Sequence, residues 1–243
     1  MGKNKRGSHV GMIISFVVFI TFIIFLYSIV KPAVNTGQDK KTLADYLLVQ
    51  IVENVSANFT SISVSIGSQD PMIKCIKLSN FLGFVEIIVP YPLIIKNENQ
   101  EIQPGYIINP TISDLEINRN NGDDKFFKAY YSQEFGAIPI QTIVPCQTII
   151  DYTIGSVKTE IFPFENNLNS LIENYQDDYE KVKEDLKVPP GTEFNFEFIK
   201  SDGTKVESGE TPTTINIYAT ETPIQYIDDE ANILSGFINI KVW

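Results

Sequence analysis

The chain has 243 residues, 43% hydrophobic and 20% charged, with a formal net charge of −11 and a pI near 4.6. That apolar share supports a sizeable core and excludes wholesale disorder, and the acidic balance argues against a nucleic-acid partner. The one histidine, His9, stands at the extreme N-terminus, which excludes histidine-based triads and nearly every histidine-bearing metal site from the remainder.

Residues 10–30 read VGMIISFVVFITFIIFLYSIV, without a single charge. As a helix rising about 1.5 Å per residue they span about 31 Å, the thickness of a hydrocarbon core. A single-pass transmembrane helix in a cell membrane is predicted, with the lipid bilayer as its first partner. Lys3, Lys5 and Arg6 precede it, while Lys31, Lys40 and Lys41 follow. This bias places the basic flank, residues 1–9, on the cytoplasmic side. The bulk of the chain is then extracytoplasmic and carries 15 basic against 30 acidic residues. The apolar run is longer than a secretory signal and ends in Lys31-Pro32 without a small-x-small site, so it is expected to stay as an anchor. The Met-Gly start lacks the Ser or Thr at position 6 that myristoylation needs; Arg6 stands there.

Lys5, Arg6 and Gly7 directly precede the apolar helix. In this the first 30 or so residues resemble the class III signal of archaeal type IV pilin-like proteins. The resemblance implies cleavage between Gly7 and Ser8, an apolar helix retained in a filament core, and pilin-like subunits as partners. Met12 occupies the place where the bacterial pattern has Glu. Segments such as FFKAYYSQEF, LKVPPGTEFNFEF and GFINIKVW look like those of uncharacterised archaeal single-pass proteins, which implies no activity.

Residues 31–59 form a juxtamembrane linker and helix. Pro32 and Gly37 are expected to break or kink the connection, which counts against a regular pilin with one extended helix. A helix follows over 39–59, with a capping-box pattern at Thr42 and Asp45 and with Ala44, Leu48, Ile51, Val55 and Phe59 on one face. From residue 60 the pattern turns to strands. TSISVSI over 60–66 alternates, and 72–78, 84–89, 93–96, 114–118, 126–131 and 148–154 are further strand candidates. Residues 168–187 carry Leu168, Leu171, Ile172, Tyr175, Tyr179, Val182 and Leu186 at helical spacing, an inserted amphipathic helix capped at Ser170 and ended by Pro189-Pro190-Gly191. A meander closes the chain over 193–200, 205–207, 213–220, 224–227 and 234–243, with a hairpin turn at Asp202-Gly203. The fold class is therefore α+β: a transmembrane helix over 10–30, then a mostly antiparallel β domain over 60–243.

Cys75 and Cys146 both fall in the part placed outside, where a disulfide persists. Their loop would stabilise by about 4 kcal/mol in the chain-entropy model; two separate buried thiols are the alternative. Neither is a catalytic candidate without an external histidine. Asn54 and Asn58 head two N-glycosylation sequons four residues apart. The acidic clusters at 121–124, 177–180 and 228–230 lack EF-hand spacing and read as loops or a solvated helix face. No phosphate loop, dinucleotide fingerprint or metal set stands out, and no cofactor is expected. Phe126-Phe127 and Tyr130-Tyr131 read as packing residues, with a sugar-binding face built from the tyrosines as the alternative.

Three functions follow from this. The first is a non-enzymatic, membrane-anchored surface protein, a pilin-like or envelope assembly subunit. The second is a membrane-tethered module that binds a sugar or peptide on its sheet face. The third, a carboxylate-based hydrolase, has no residue pair singled out for it.

Overall fold

The computed structural model describes residues 7–67, 69–70, 72–85, 92–108, 114–119, 122–136, 146–210, 213 and 216–243; for residues 7–10, 29–38 and 106–108 the description is of the backbone. The first element, α1 (Gly7–Val55), is one helix of 49 residues, about 73 Å long at 1.5 Å per residue. Pro32 and Gly37, expected to break it, lie inside it. Each weakens a helix locally. The helix continues because it is fixed on both sides, by an apolar segment of strong helix pattern and by a packed outer half. Thr42 and Asp45 are consequently interior residues and cap nothing. The helix ends four residues sooner than predicted, and Phe59 belongs to the strand that follows.

Among the described residues that strand, β1 (Ser56–Ile66), opens a run of nine with β2 (Cys75–Leu78), β3 (Leu93–Asn97), β4 (Ile102–Gln103), β5 (Gly105–Ile108), β6 (Asp114–Asn118), β7 (Phe126–Tyr131), β8 (Gln147–Ile149) and β9 (Tyr152–Pro163). A short helix, α2 (Phe81–Val85), replaces the beginning of the strand predicted over 84–89. Its Phe81, Leu82 and Val85 are buried, a spacing that serves a helix turn as well as a strand. The remainder of that prediction, 86–89, lies outside the described residues. The strands form two sheets, β4-β3-β7-β1-β9 and β5-β6-β2-β8. All pairs are antiparallel except β2 with β8. One face of the larger sheet (Ile62, Val64, Ile66, Phe127, Ala129) packs on Ile76, Leu78, Leu115 and Ile117 of the smaller, with α2 at the side. This is a β-sandwich.

The helix predicted over 168–187 is two helices, α3 (Glu165–Asp177) and α4 (Tyr179–Asp185). Asp178 breaks them and caps the second, its side chain accepting from the Lys181 amide at 3.1 Å. Ser170 lies within α3 and is no cap. The last four strands, β10 (Phe194–Ile199), β11 (Lys205–Glu207), β12 (Tyr218–Ile227) and β13 (Ile233–Val242), form an antiparallel sheet of order β11-β10-β13-β12. Gly203, at φ +85°, turns the β10–β11 hairpin. The strands predicted over 213–220 and 224–227 run together as one β12, through the residues 221–223 expected to separate them; residues 214 and 215 of the first lie outside the described residues, and 216 and 217 precede the strand. The end of the chain lies in a central strand, β13.

Phe194, Phe196, Phe198, Ile238, Ile240 and Val242 form the inner face of this sheet. Ala44, Leu47, Ile51 and Val55 of α1 cover it together with Leu168, Ile172, Tyr175 and Val182 of α3 and α4. The sandwich is thus inserted, in sequence, between the helix and the sheet that helix packs on. A third cluster joins the two bodies: Phe59, Ile94, Tyr130 and Phe135 of the sandwich side meet Phe164, Ile227 and Ala231.

Ile51 is fully buried, whereas Val49, two residues away, is 50% exposed. Ile51→Ala is expected to destabilise the detergent-solubilised chain by about 2–5 kcal/mol in denaturant unfolding. Val49→Ala should stay within about 0.5 kcal/mol. Equal effects would place α1 off the sheet.

Candidate functional site

Two regions of the molecule have a chemistry beyond that of a core. The first is the inner half of α1. Residues 11–28 have a mean hydropathy of 2.4, and none of them is buried. The helix is long and apolar enough to cross a membrane. Two of its hydroxyls turn back on the helix: Thr21 Oγ1 donates to the carbonyls of Val17 and Val18 at 3.0 and 2.9 Å, and Ser28 Oγ to that of Ile24 at 2.9 Å. A hydroxyl satisfied in this way needs no water, which is what a hydrocarbon environment demands. Gly7 opens the helix and Ser8 is its second residue. The basic residues Lys3, Lys5 and Arg6 lie outside the described residues.

The second region is a cleft of about 460 Å³ on the open half of the larger sheet's outer face. Strand parity builds it. Ile62, Val64 and Ile66 of β1 enter the sandwich core, so Ser63 and Ser65 between them face outward beside Lys128 and Phe126 of β7 and Thr153 of β9. The turn between β3 and β4 supplies Glu98 and Gln100. Asn97 fixes that turn: its Oδ1 accepts from the amides of Asn99 and Glu101, and its Nδ2 donates to Glu101 and Asp124. Phe126 is 57% exposed, while Phe127, Tyr130 and Tyr131 are buried. Of the four aromatics singled out in the sequence, one faces the cleft and three pack. An exposed ring beside hydroxyls, amides, one cation and one carboxylate suits a polyhydroxylated ligand.

Cys75 and Cys146 form a disulfide with Cα atoms 4.6 Å apart. It ties the start of β2 to the residue before β8, at one end of their parallel pairing. Glu116 lies within 4.8 Å of both sulfurs. With both thiols consumed by the disulfide, this group offers a metal only one carboxylate. Asn54 and Asn58 are both exposed, on the last turn of α1 and on β1. Their sequon hydroxyls are engaged: Ser56 Oγ donates to Val52 O at 2.6 Å, and Thr60 Oγ1 pairs with Thr159 Oγ1 at 2.8 Å. The acidic clusters have structural work. Asp178 caps α4, Asp124 accepts from Asn97, and Asp228 accepts from the amides of Glu230 and Asn232.

Two buried cations escaped the sequence. Arg119 is 1% exposed; its guanidinium donates to the carbonyls of Ile73 and Asp70 and closes the loop before β2. Lys96 is 2% exposed, donates to Asn232 Oδ1 at 2.6 Å and lies over the Tyr130 ring. Burial pushes its pKa down, against the pull of Asp228 and Glu230. Nothing in the alternation of LIIKN marks a lysine as enclosed; only the β12–β13 turn, far along the chain, encloses it. The other perturbed cluster joins α4 to β10. Tyr179 donates to Glu193 at 2.5 Å and Lys183 lies 2.9 Å from the same carboxylate. The Tyr179 hydroxyl first, and then Lys183, hold Glu193 below the usual carboxylate range, and burial pushes Tyr179 up.

No protein-family model, curated protein or solved structure matches the chain.

Because the Glu193 pKa is depressed in the fold, its contribution is complete above the unfolded value and is lost as pH falls through the folded one. Stability is therefore expected to drop on acidification from about pH 5 to about pH 3. In Tyr179→Phe, which lacks the main donor, that drop should be shallower. Unfolding midpoints across the window, with the same slope in both proteins, would remove Glu193 as a contributor.

Proposed function

We propose that this chain is a non-enzymatic surface protein, anchored by one transmembrane helix with its N-terminus cytoplasmic and its β-rich bulk extracytoplasmic, and that it works by assembly with other membrane or pilin-like subunits. The observation that carries this is the continuity of α1. One helix has an exposed, apolar first half and a second half that forms part of the outer core. A force or displacement at either end is transmitted without a hinge, as an assembly subunit requires. The continuous helix also removes the objection that Pro32 and Gly37 raised to the pilin-like resemblance of residues 1–30.

The protein purified from its native membrane is expected to resist alkaline carbonate, to require detergent, and to begin at Ser8. An intact N-terminus would overturn the pilin-like part and leave an ordinary signal anchor. Release by carbonate would overturn the anchor itself.

The cleft supports a second reading, a membrane-tethered module that binds sugar. Phe126 would stack on the apolar face of a pyranose, with Ser63, Ser65, Thr153 and Gln100 around its hydroxyls. The full chain in detergent should then retain specific oligosaccharides on a glycan array, and Phe126→Ala should weaken retention about tenfold, the effect of a lost ring contact. Retention unchanged in that variant, or none in the parent, would sink this reading.

A further inference from the structure

We propose that two copies of this chain pair edge to edge through β9, antiparallel about a two-fold axis at Thr159, joining their five-stranded sheets. β9 is the edge of the sheet, paired with β1 on one side. Residues 155–159 are exposed on both faces of the strand. Among the described residues, no backbone hydrogen bond from outside the sheet reaches 153–162. A long open edge of this kind is a template for another strand, and proteins usually blunt it with proline, a bulge or an inward charge. Val157 to Ile161 hold no proline, with the register irregularity before them and Pro163 after; their two charges, Lys158 and Glu160, guard the edge against an arbitrary strand and admit one that sets opposite charges against them.

The occupant is argued from the sequence of the strand itself, VKTEI. A two-fold at Thr159 sets Lys158 opposite the partner's Glu160 and Glu160 opposite the partner's Lys158. Val157 then meets Ile161 twice. Strand parity puts the two sets on opposite faces: Val157, Thr159 and Ile161 pair with Ile62, Thr60 and Asn58 of β1, while Lys158 and Glu160 pair with Ser61 and Phe59. One face of the joint is therefore an apolar cluster and the other a pair of ion pairs. Val157 is 46% and Ile161 71% exposed in the single chain, and the joint would cover both. Within one chain Lys158 Nζ lies 2.8 Å from Glu160, a contact both would exchange for the partner's. Opposite charges and apolar groups directly across a strand pair are the favourable combinations, and like charges there are unfavourable. A second copy satisfies all of these positions with no other sequence required. Asn58 stands beside Ile161, so a sugar on that sequon would cover the apolar half of the joint.

The full chain in detergent, carrying Thr159→Cys, is expected to form an intermolecular disulfide under mild oxidation. Residues facing each other across the axis have Cα atoms about 4.5–5.5 Å apart, within disulfide reach, and the two native cysteines are already bonded to each other. Thr153→Cys, whose copies would lie roughly 40 Å apart, should remain uncross-linked. Lys158→Glu sets Glu against Glu160 on both sides and should weaken cross-linking of the Thr159→Cys chain about tenfold; adding Glu160→Lys should restore it. Equal cross-linking at 153 and 159, or no recovery in the double exchange, overturns the pairing. A disulfide from 159 to a different protein would mean that the edge takes a foreign strand, which also overturns it.

Discussion

The structure depends on one contact, the face of α1 carrying Ala44, Leu47, Ile51 and Val55 against the last four-stranded sheet. Each large apolar side chain fully buried there contributes about 1.5–3 kcal/mol. The contact also solves a geometric problem. A helix whose first half packs on nothing holds a direction relative to the domain only if its second half is captured. Here the outer half is a layer of the core. Lys40, near the start of that half, donates to Asn216 O at 2.6 Å and secures the segment before β12. The orientation of the domain is thus built into the same residues that hold it together.

The sandwich depends on this layer in turn. It hangs from α1 through β1, and it returns to the layer through β9 and Phe164. The return is reinforced by the aromatic seam around Phe59, whose ring stacks on Tyr130 and meets Phe135, Phe162 and Phe164 edge-on. Lys96 adds a polar bolt across the seam to Asn232. A buried lysine is costly when alone. Its position over Tyr130 and beside the β12–β13 turn holds that turn in one place, which gives the joint between the two bodies a defined geometry as well as adhesion.

The elements legible in the sequence were those whose pattern has one cause. The apolar N-terminal helix, β6, β7, β10 and β11 were legible, because their run length or alternation shows them. The Asp202-Gly203 turn was legible because φ > 0 needs glycine. The failures have physical reasons. α1 passes through Pro32 because local propensity yields to support on both sides. β9 was read only to residue 154, since YTIGSVKTEIFP is exposed on both faces over much of its length and an edge has no inward side to mark. β4 and β5 are too short for periodicity. Of the site, Cys75, Cys146 and Phe126 were visible as residue types. The serine row became a lined cleft only once parity and the β3–β4 turn were known, and Arg119 and Lys96 were invisible because what buries them is distant in the chain.

The division of labour follows from chain order. Among the described residues, those before Ser56 and after Glu165 build α1 and the layer it packs on, and a change in their buried faces disturbs that core. The residues between build an insertion whose two sheets enclose their own core and are stapled by their own disulfide. Outside the aromatic seam around Phe59, the outer surface of the insertion belongs to neither core. The cleft, the exposed length of β9 and the second sequon all lie on it. An exposed serine row and an open edge add little to stability, and an edge adds a risk of aggregation. These features are neutral or costly to the fold and are gathered on the part that encloses its own core, so a change in any of them is separable from the packing of α1 on its sheet.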